Sequence, residues 1–180
     1  MLQLPGYSLL GLLQSSSSSL LYRAVREADR QPVILKTPRS EFPGAREHAR
    51  LRGEYSLLRR LKGAPGVLQA HGLEFLQARP VLVLEDVGGR ALSDELDQPF
   101  GPERFLPLAL ALCTTLAEVH RRGVIHKDIM PANILVSAEG KPWLIDFGIA
   151  TLQQAEHVEP RRPSWWKGRW PTCPRSRPGG

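Results

Sequence analysis

The period of apolar positions changes along the chain, and each change marks an element. Tyr7 to Leu13 is a short apolar run bounded by Pro5-Gly6 and predicts a strand. The serine run Ser15–Ser19 has no apolar position and predicts a turn. Leu20 to Arg26 alternates loosely, and Pro32 to Thr37 is rich in aliphatic and β-branched residues. With the polar turn Glu27–Gln31 between them, they predict two more strands and an antiparallel meander. From Ala45 to Leu61 the period lengthens. Leu51, Tyr55, Leu58 and Leu61 fall on one side of a helix, with arginines on the other. Gly63-Ala64-Pro65-Gly66 closes that helix, and Val67–Phe75 with Pro80–Glu85 predicts a hairpin.

Asp86–Gly89 is a connector containing two glycines, and the pattern changes after it. Pro102 suits a first helical turn, and Phe105–Arg122 predicts a long apolar helix ended by Gly123. Ile134–Val136 and Trp143–Ile145 read as short strands joined by the turn Ala138–Lys141. The predicted class is α+β: a strand-rich lobe with one helix over residues 1–85, then a more helical part over 86–152. Residues 153–180 are rich in proline and tryptophan, keep no helix or strand period, and are expected to be a disordered tail.

Charge sharpens that division. Of the net +6, the stretch 151–180 holds +4, so residues 1–150 are nearly balanced. The basicity belongs to the tail, and a nucleic-acid function is not expected from it. The two cysteines, Cys113 and Cys173, form neither a disulfide framework nor a metal-ligand spacing. Cys113 lies in an apolar helical run and is expected to be buried; a reducing, cytoplasmic compartment fits. The longest uncharged apolar run, Phe105–Ala117, is too short to span a bilayer. The apolar start lacks the basic flank of a signal peptide, so no membrane association is expected.

The chemistry is concentrated in two stretches. His126-Lys127-Asp128 is followed by Asn133, and Asp146-Phe147-Gly148 comes after a short hydrophobic hairpin. This order and spacing fits H-R/K-D-x-x-x-x-N followed by D-F-G. Phosphoryl transfer needs a group that orients the acceptor hydroxyl, and oxygen ligands for Mg²⁺ on the phosphates. Asp128 suits the first role, Asn133 and Asp146 the second. The plainer alternative makes Asp146 a turn cap and His126 a satisfied core histidine. Val33-Ile34-Leu35-Lys36 approximates V-A-I-K, with Lys36 at a strand end. Glu54, in the middle of the next helix, is its expected partner; the alternative is that Glu54 pairs with Arg50 on its own helix. Leu21, Ile34 and Leu135 could line an apolar slot for a planar base, and Leu84, Glu85, Asp86 and Val87 a hinge whose backbone meets the base edge.

These residues together resemble the first part of a eukaryotic-type Ser/Thr protein kinase domain, over about residues 5–152. Leu4-Pro5-Gly6-Tyr7, Leu84–Gly89 and the run around Asp128 further resemble the kinase-like module that opens large bacterial multi-sensor signalling proteins. The resemblance implies ATP and Mg²⁺ as cofactors, transfer to serine or threonine of a protein, and a protein substrate or downstream signalling modules as partners. It implies Asp128, Lys36 and Asn133 as catalytic, Asn133 and Asp146 as metal-binding, and Lys36, Glu54, Leu21, Ile34, Leu84, Glu85, Val87 and Leu135 as nucleotide-binding.

The chain also departs from the pattern. Gln14 and Ser15–Ser19 stand where the family commonly has G-x-G-x-x-G. Met130 stands where many kinases place a lysine near the transferring phosphate. No Ala-Pro-Glu follows Gly148, so a truncated or frame-shifted product is expected. Two other functions stay open: a non-catalytic ATP-binding interaction fragment, and a small-molecule phosphotransferase.

Overall fold

The computed structural model describes residues 4–76 and 79–153. Strands β1 (Tyr7–Ser15), β2 (Ser19–Arg26) and β3 (Pro32–Pro38) form the expected meander. Helix α1 (Ala45–Arg60) follows, then β4 (Ala70–Leu76) and β5 (Arg79–Glu85). These strands complete an antiparallel sheet in the order β1-β2-β3-β5-β4.

The period-2 geometry of β3 decides what each of its residues touches. Val33 and Leu35 pack into one apolar cluster with Ala24, Val81 and Val83. Ile34 points the opposite way, into a second cluster with Leu21, Leu82 and Leu84. Lys36 shares the Ile34 face by the same alternation. The strand is therefore buried on both sides, each aliphatic side chain contributing roughly 1.5–3 kcal/mol, and it delivers a lysine to the inner face.

Helix α1 starts cleanly because Glu47 accepts the Gly44 N–H at 2.6 Å while the Gly44 carbonyl accepts the His48 N–H. Its inward stripe is Leu51, Glu54 and Leu58, continued by Leu61. A glutamate in that stripe needs a partner to be tolerated there.

The predicted hairpin strand Val67–Phe75 is shorter than expected, beginning at Ala70. Its first residues belong to the other half of the molecule: the Leu68 N–H donates to the Leu144 carbonyl, and the Leu144 N–H to the Gly66 carbonyl. Gly66, with φ +71° and its Cα pressed on Thr115, turns the chain into that ladder, which no side chain larger than hydrogen would permit.

After the connector come β6 (Arg90–Ala91), a short 3₁₀ turn at Leu92–Glu95, and helix α2 (Pro102–Arg121). Then follow β7 (Val124–Ile125), β8 (Ile134–Val136), β9 (Pro142–Leu144) and β10 (Thr151–Leu152). The sheet β6-β8-β9 and the pair β10-β7 frame the segment between them. Arg60 donates to the Arg122 carbonyl at 2.6 Å and Arg122 to the Lys62 carbonyl at 2.7 Å, tying the ends of α1 and α2 together. The connector itself is strapped: Arg23 of β2 pairs with Asp86 at 2.7 Å and donates to the Gly89 carbonyl at 2.8 Å.

Cys113 is a correction. It is exposed, because α2 buries only the stripe Leu108, Thr115 and Val119. An apolar neighbourhood in sequence does not place a residue on the buried stripe. Among the described residues, no helix is long and apolar enough to cross a membrane. The tail expected to be disordered lies outside the described residues.

Candidate active site

Lys36 lies at the centre of the site. Its Nζ donates to both Glu54 carboxylate oxygens, at 2.7 and 2.8 Å, and to Asp146 Oδ1 at 2.7 Å. Lys36 and Glu54 are almost fully buried, their side chains each 1% exposed. Three elements far apart in sequence supply the trio: strand β3, the middle of a helix, and the loop after β9. Burial pushes the Glu54 carboxyl above its usual range, against the pull of Lys36. Burial would also raise Asp146, but the Lys36 charge and hydrogen bond, the Gly148 N–H and Arg50 together hold it below the usual carboxylate range. Asp146 adopts φ +61°, an uncommon backbone state for a non-glycine residue, which its bonds to Lys36 and to the Gly148 N–H maintain. Glu54 thus pairs with Lys36, not with Arg50.

The second group sits between β7 and β8. Asn133 Nδ2 donates to the Asp128 carbonyl at 3.0 Å and to Asp128 Oδ2 at 2.8 Å. The Ile145 N–H donates to the Asn133 carbonyl at 3.0 Å, which sets Asn133 and Asp146 on adjoining backbone. His126 joins the two motifs. Its Nε2–H donates to the Ile145 carbonyl at 2.9 Å, Nδ1 accepts the Asp128 N–H at 3.2 Å, and its ring meets Phe147 edge-on. Burial pushes the imidazole pKa down, so the neutral tautomer that fits both bonds is the favoured one. His126 is a satisfied core histidine, and its two bonds align Asp128 with Asp146.

Leu21, Ile34, Leu84 and Leu135 belong to one buried apolar cluster, with Val87 packed against it. Glu85 is already engaged with Gln69: it accepts the Gln69 N–H on its side chain at 2.7 Å, and its own N–H goes to the Gln69 carbonyl at 2.9 Å. Its side chain is therefore not available to a ligand in the slot.

The serine loop between β1 and β2 closes on itself. The Ser16 N–H donates to the Ser19 carbonyl at 2.9 Å, and Ser16 Oγ accepts from the N–H groups of Ser18 and Ser19 at 3.3 and 3.0 Å. Arg39 donates to Ser15 Oγ and the Ser16 carbonyl, and Arg50 of α1 to Ser18 Oγ at 2.5 Å. A bulge in β1 between Leu12 and Gln14 re-aims Gln14 across the cleft. Its Nε2 donates to the Ala132 carbonyl at 3.2 Å and approaches Asn133 Oδ1 at 3.5 Å.

A family model described as "Protein kinase domain" matches residues 7–165. The chain belongs to the protein kinase family. It is 32% identical over 158 residues to the DNA damage-responsive serine/threonine-protein kinase RqkA of Deinococcus radiodurans, covering 84% of this chain and 23% of that protein. It is 38% identical over 73 residues to the serine/threonine-protein kinase PknB of Mycobacterium leprae, covering 39% and 12%. It is 29% identical over 159 residues to casein kinase I homolog 3 of Schizosaccharomyces pombe, covering 82% and 34%. The chain spans about a third or less of the length of each of these relatives.

Within the kinase family, this domain is of the eukaryotic-type Ser/Thr kind, and its five-stranded first lobe is the family's. The sequence does not mark three residues of the cleft. Gln14 shows in it only as a missing glycine, yet it bridges to the loop that carries Asn133. Arg50 shows only as a rival partner for Glu54. Arg23 carried no signal, since its partner Asp86 is sixty-three positions away; only an acid inside the connector hinted that a base had to meet it.

Proposed function

We propose that this kinase domain transfers the terminal phosphoryl group of ATP to serine or threonine of a protein. Residues up to Glu85 form the nucleotide-holding lobe, and residues 86–152 contribute the catalytic loop. The observation that carries the reading is the Lys36 Nζ held 2.7 Å from both Glu54 and Asp146. That ammonium is fixed by Glu54 in a position to meet phosphate oxygens. Leu21, Ile34, Leu84, Val87 and Leu135 take the base, and Glu85 contributes through backbone alone. Asp128 orients the acceptor hydroxyl.

The donor set fits Mg²⁺. Both bonds from Asn133 Nδ2 go to Asp128, so the amide turns its oxygen the other way, where among the described residues only the long 3.5 Å approach of Gln14 Nε2 meets it. That oxygen and the Asp146 carboxylate, a pair of hard oxygen donors, suit an ion that takes one or two protein ligands and completes its shell with phosphate and water. Held there by Asn133 and Asp146, the ion would supply positive charge to the phosphates. A second reading, ATP binding without transfer, is favoured by the loop whose Ser16, Ser18 and Ser19 N–H groups are already engaged and by Met130. A cytoplasmic setting and protein partners accord with the family.

Two substitutions separate these readings. Asp146→Ala is expected to weaken Mg·ATP binding at least about tenfold, the value of one lost charge-assisted contact. Asp128→Asn is expected to leave binding intact and lower phosphate transfer to a protein acceptor by roughly 10²–10⁴. Unchanged ATP binding in Asp146→Ala would remove the proposal; binding without any transfer in the native chain would select the second reading. Transfer to a small alcohol and not to protein would select the phosphotransferase reading.

A further inference from the structure

The cleft's central cation is shared, and three of the N–H donors of its serine loop are already engaged. Lys36 is one ammonium shared by two carboxylates. Met130 adds no charge from the catalytic loop. A glycine-rich loop binds phosphate through unpaired backbone N–H groups. Here the N–H groups of Ser16, Ser18 and Ser19 are all taken up inside the loop. A triphosphate brought into this cleft needs another cation.

Arg50 stands where that cation is needed. With Ser18, Ser19, Lys36 and Glu54 it lines one small cavity. Its guanidinium lies against Gly148: a Cβ there would come within 2.9 Å of Arg50 Nη2 and within 2.9 Å of Asp146 Oδ1, so only glycine lets the guanidinium approach the Asp146 loop this closely. Yet its hydrogen bond among the described residues goes to a neutral hydroxyl, Ser18 Oγ. Of the two carboxylates of its own helix that line the same cavity, Glu54 gives both oxygens to Lys36 and Glu47 accepts the Gly44 N–H. A guanidinium has five N–H donors in a fork that matches phosphate oxygens. Arg50 thus has donor capacity to spare, beside the loop and beside Asp146.

We propose that Arg50 is a phosphate-binding residue of this domain, exchanging the Ser18 hydroxyl for the phosphate oxygens of a nucleoside triphosphate. The inference rests on the ATP reading given under the proposed function. Releasing Ser18 lets the serine loop move with the ligand, so the arginine replaces in one side chain what glycine amides supply elsewhere.

The test is calorimetric titration of the full chain, in Mg²⁺, with ATP and with adenosine. The proteins are the native chain, Arg50→Ala and Arg50→Lys, their folding checked by thermal melting. Arg50→Ala is expected to bind ATP roughly 10- to 100-fold more weakly, as for a lost charge-assisted bond, and adenosine as before. Arg50→Lys, which keeps the charge and loses the fork, is expected to fall between. ATP affinity unchanged in Arg50→Ala overturns this inference and leaves the ATP reading standing. Equal losses for ATP and adenosine overturn it too, since they would make Arg50 a support of the fold. A native chain that binds neither ligand overturns the ATP reading, and this inference with it.

Discussion

The Lys36 trio and the serine loop lie side by side across one small cavity, and they are built on opposite principles. The trio joins three distant elements through buried charges, so each member is fixed by the other two. The loop joins neighbours in sequence through hydroxyls and its own backbone. Removing a charge from the trio strands its partners in a place that is largely or wholly shielded from water. Removing an exposed hydroxyl from the loop, such as that of Ser15, leaves a partner that solvent satisfies at once. The first region therefore dictates residue identity, and the second dictates little more than length.

The largest effect should come from breaking the trio at its centre. Lys36→Met keeps the volume and removes the charge, leaving Glu54 and Asp146 uncompensated. Loss of one partner from a buried ion pair costs about 3–5 kcal/mol, a fall in melting temperature on the order of 10 °C for a chain of this size. Adding Glu54→Gln should recover much of that loss, because one stranded charge disappears. Thermal or denaturant unfolding of both variants checks this. A single variant within about 1 kcal/mol of the native chain would show that solvent reaches the trio and that the contrast with the loop is false.

This contrast also explains what could be read in the sequence. Asp128, Asn133 and Asp146 stood out in the sequence because the proposed chemistry asks for those residue types at fixed separations, and Lys36 with Glu54 because a V-A-I-K lysine at a strand is expected to meet a glutamate in the next helix. The strands of the five-stranded sheet and α1 were legible from period alone, apart from the start of β4, where backbone pairing between Leu68 and Leu144 took over residues that look strand-like; the two-residue strands β6, β7 and β10 are too short to show a period and were not expected. The exposure of Cys113 was not legible, since hydropathy does not distinguish the stripe of α2 that is buried from the rest. Nor was the reach of Gln14, which depends on a bulge in β1, nor the pairing of Arg23 with Asp86, which depends on how β2 passes the connector. Contacts set by tertiary geometry between ordinary surface residue types leave no local pattern.

A milder probe of the same division is acid. His126 has its pKa pushed down mainly by burial, so the unfolded chain takes up a proton near the ordinary value of 6.5 while the folded chain resists. The unfolded state then binds more protons, and stability falls as pH drops below about 6.5. His126→Gln should flatten that part of the stability–pH curve, at the cost of some stability throughout. Urea unfolding between pH 7 and pH 5 measures it. A curve of the same slope in His126→Gln would assign the acid response to other groups and remove His126 as the link between the two motifs.

The smallest effect should come from the loop. Arg39→Ala removes the bonds to Ser15 Oγ and the Ser16 carbonyl, both exposed to solvent. Exposed polar contacts of this kind change stability by less than about 0.5 kcal/mol, so the melting temperature should not move measurably. Local opening should respond instead, because the loop's remaining bonds close only a few residues and little apolar surface holds it down. Amide hydrogen exchange at Ser18 and Ser19 is expected to quicken several-fold, with the amides of β3 and β5 unchanged. Exchange that quickens equally in β3 would mean that the loop and the trio open as one unit. The serines would then be part of the lobe's cooperative structure, and the two regions would differ in composition only.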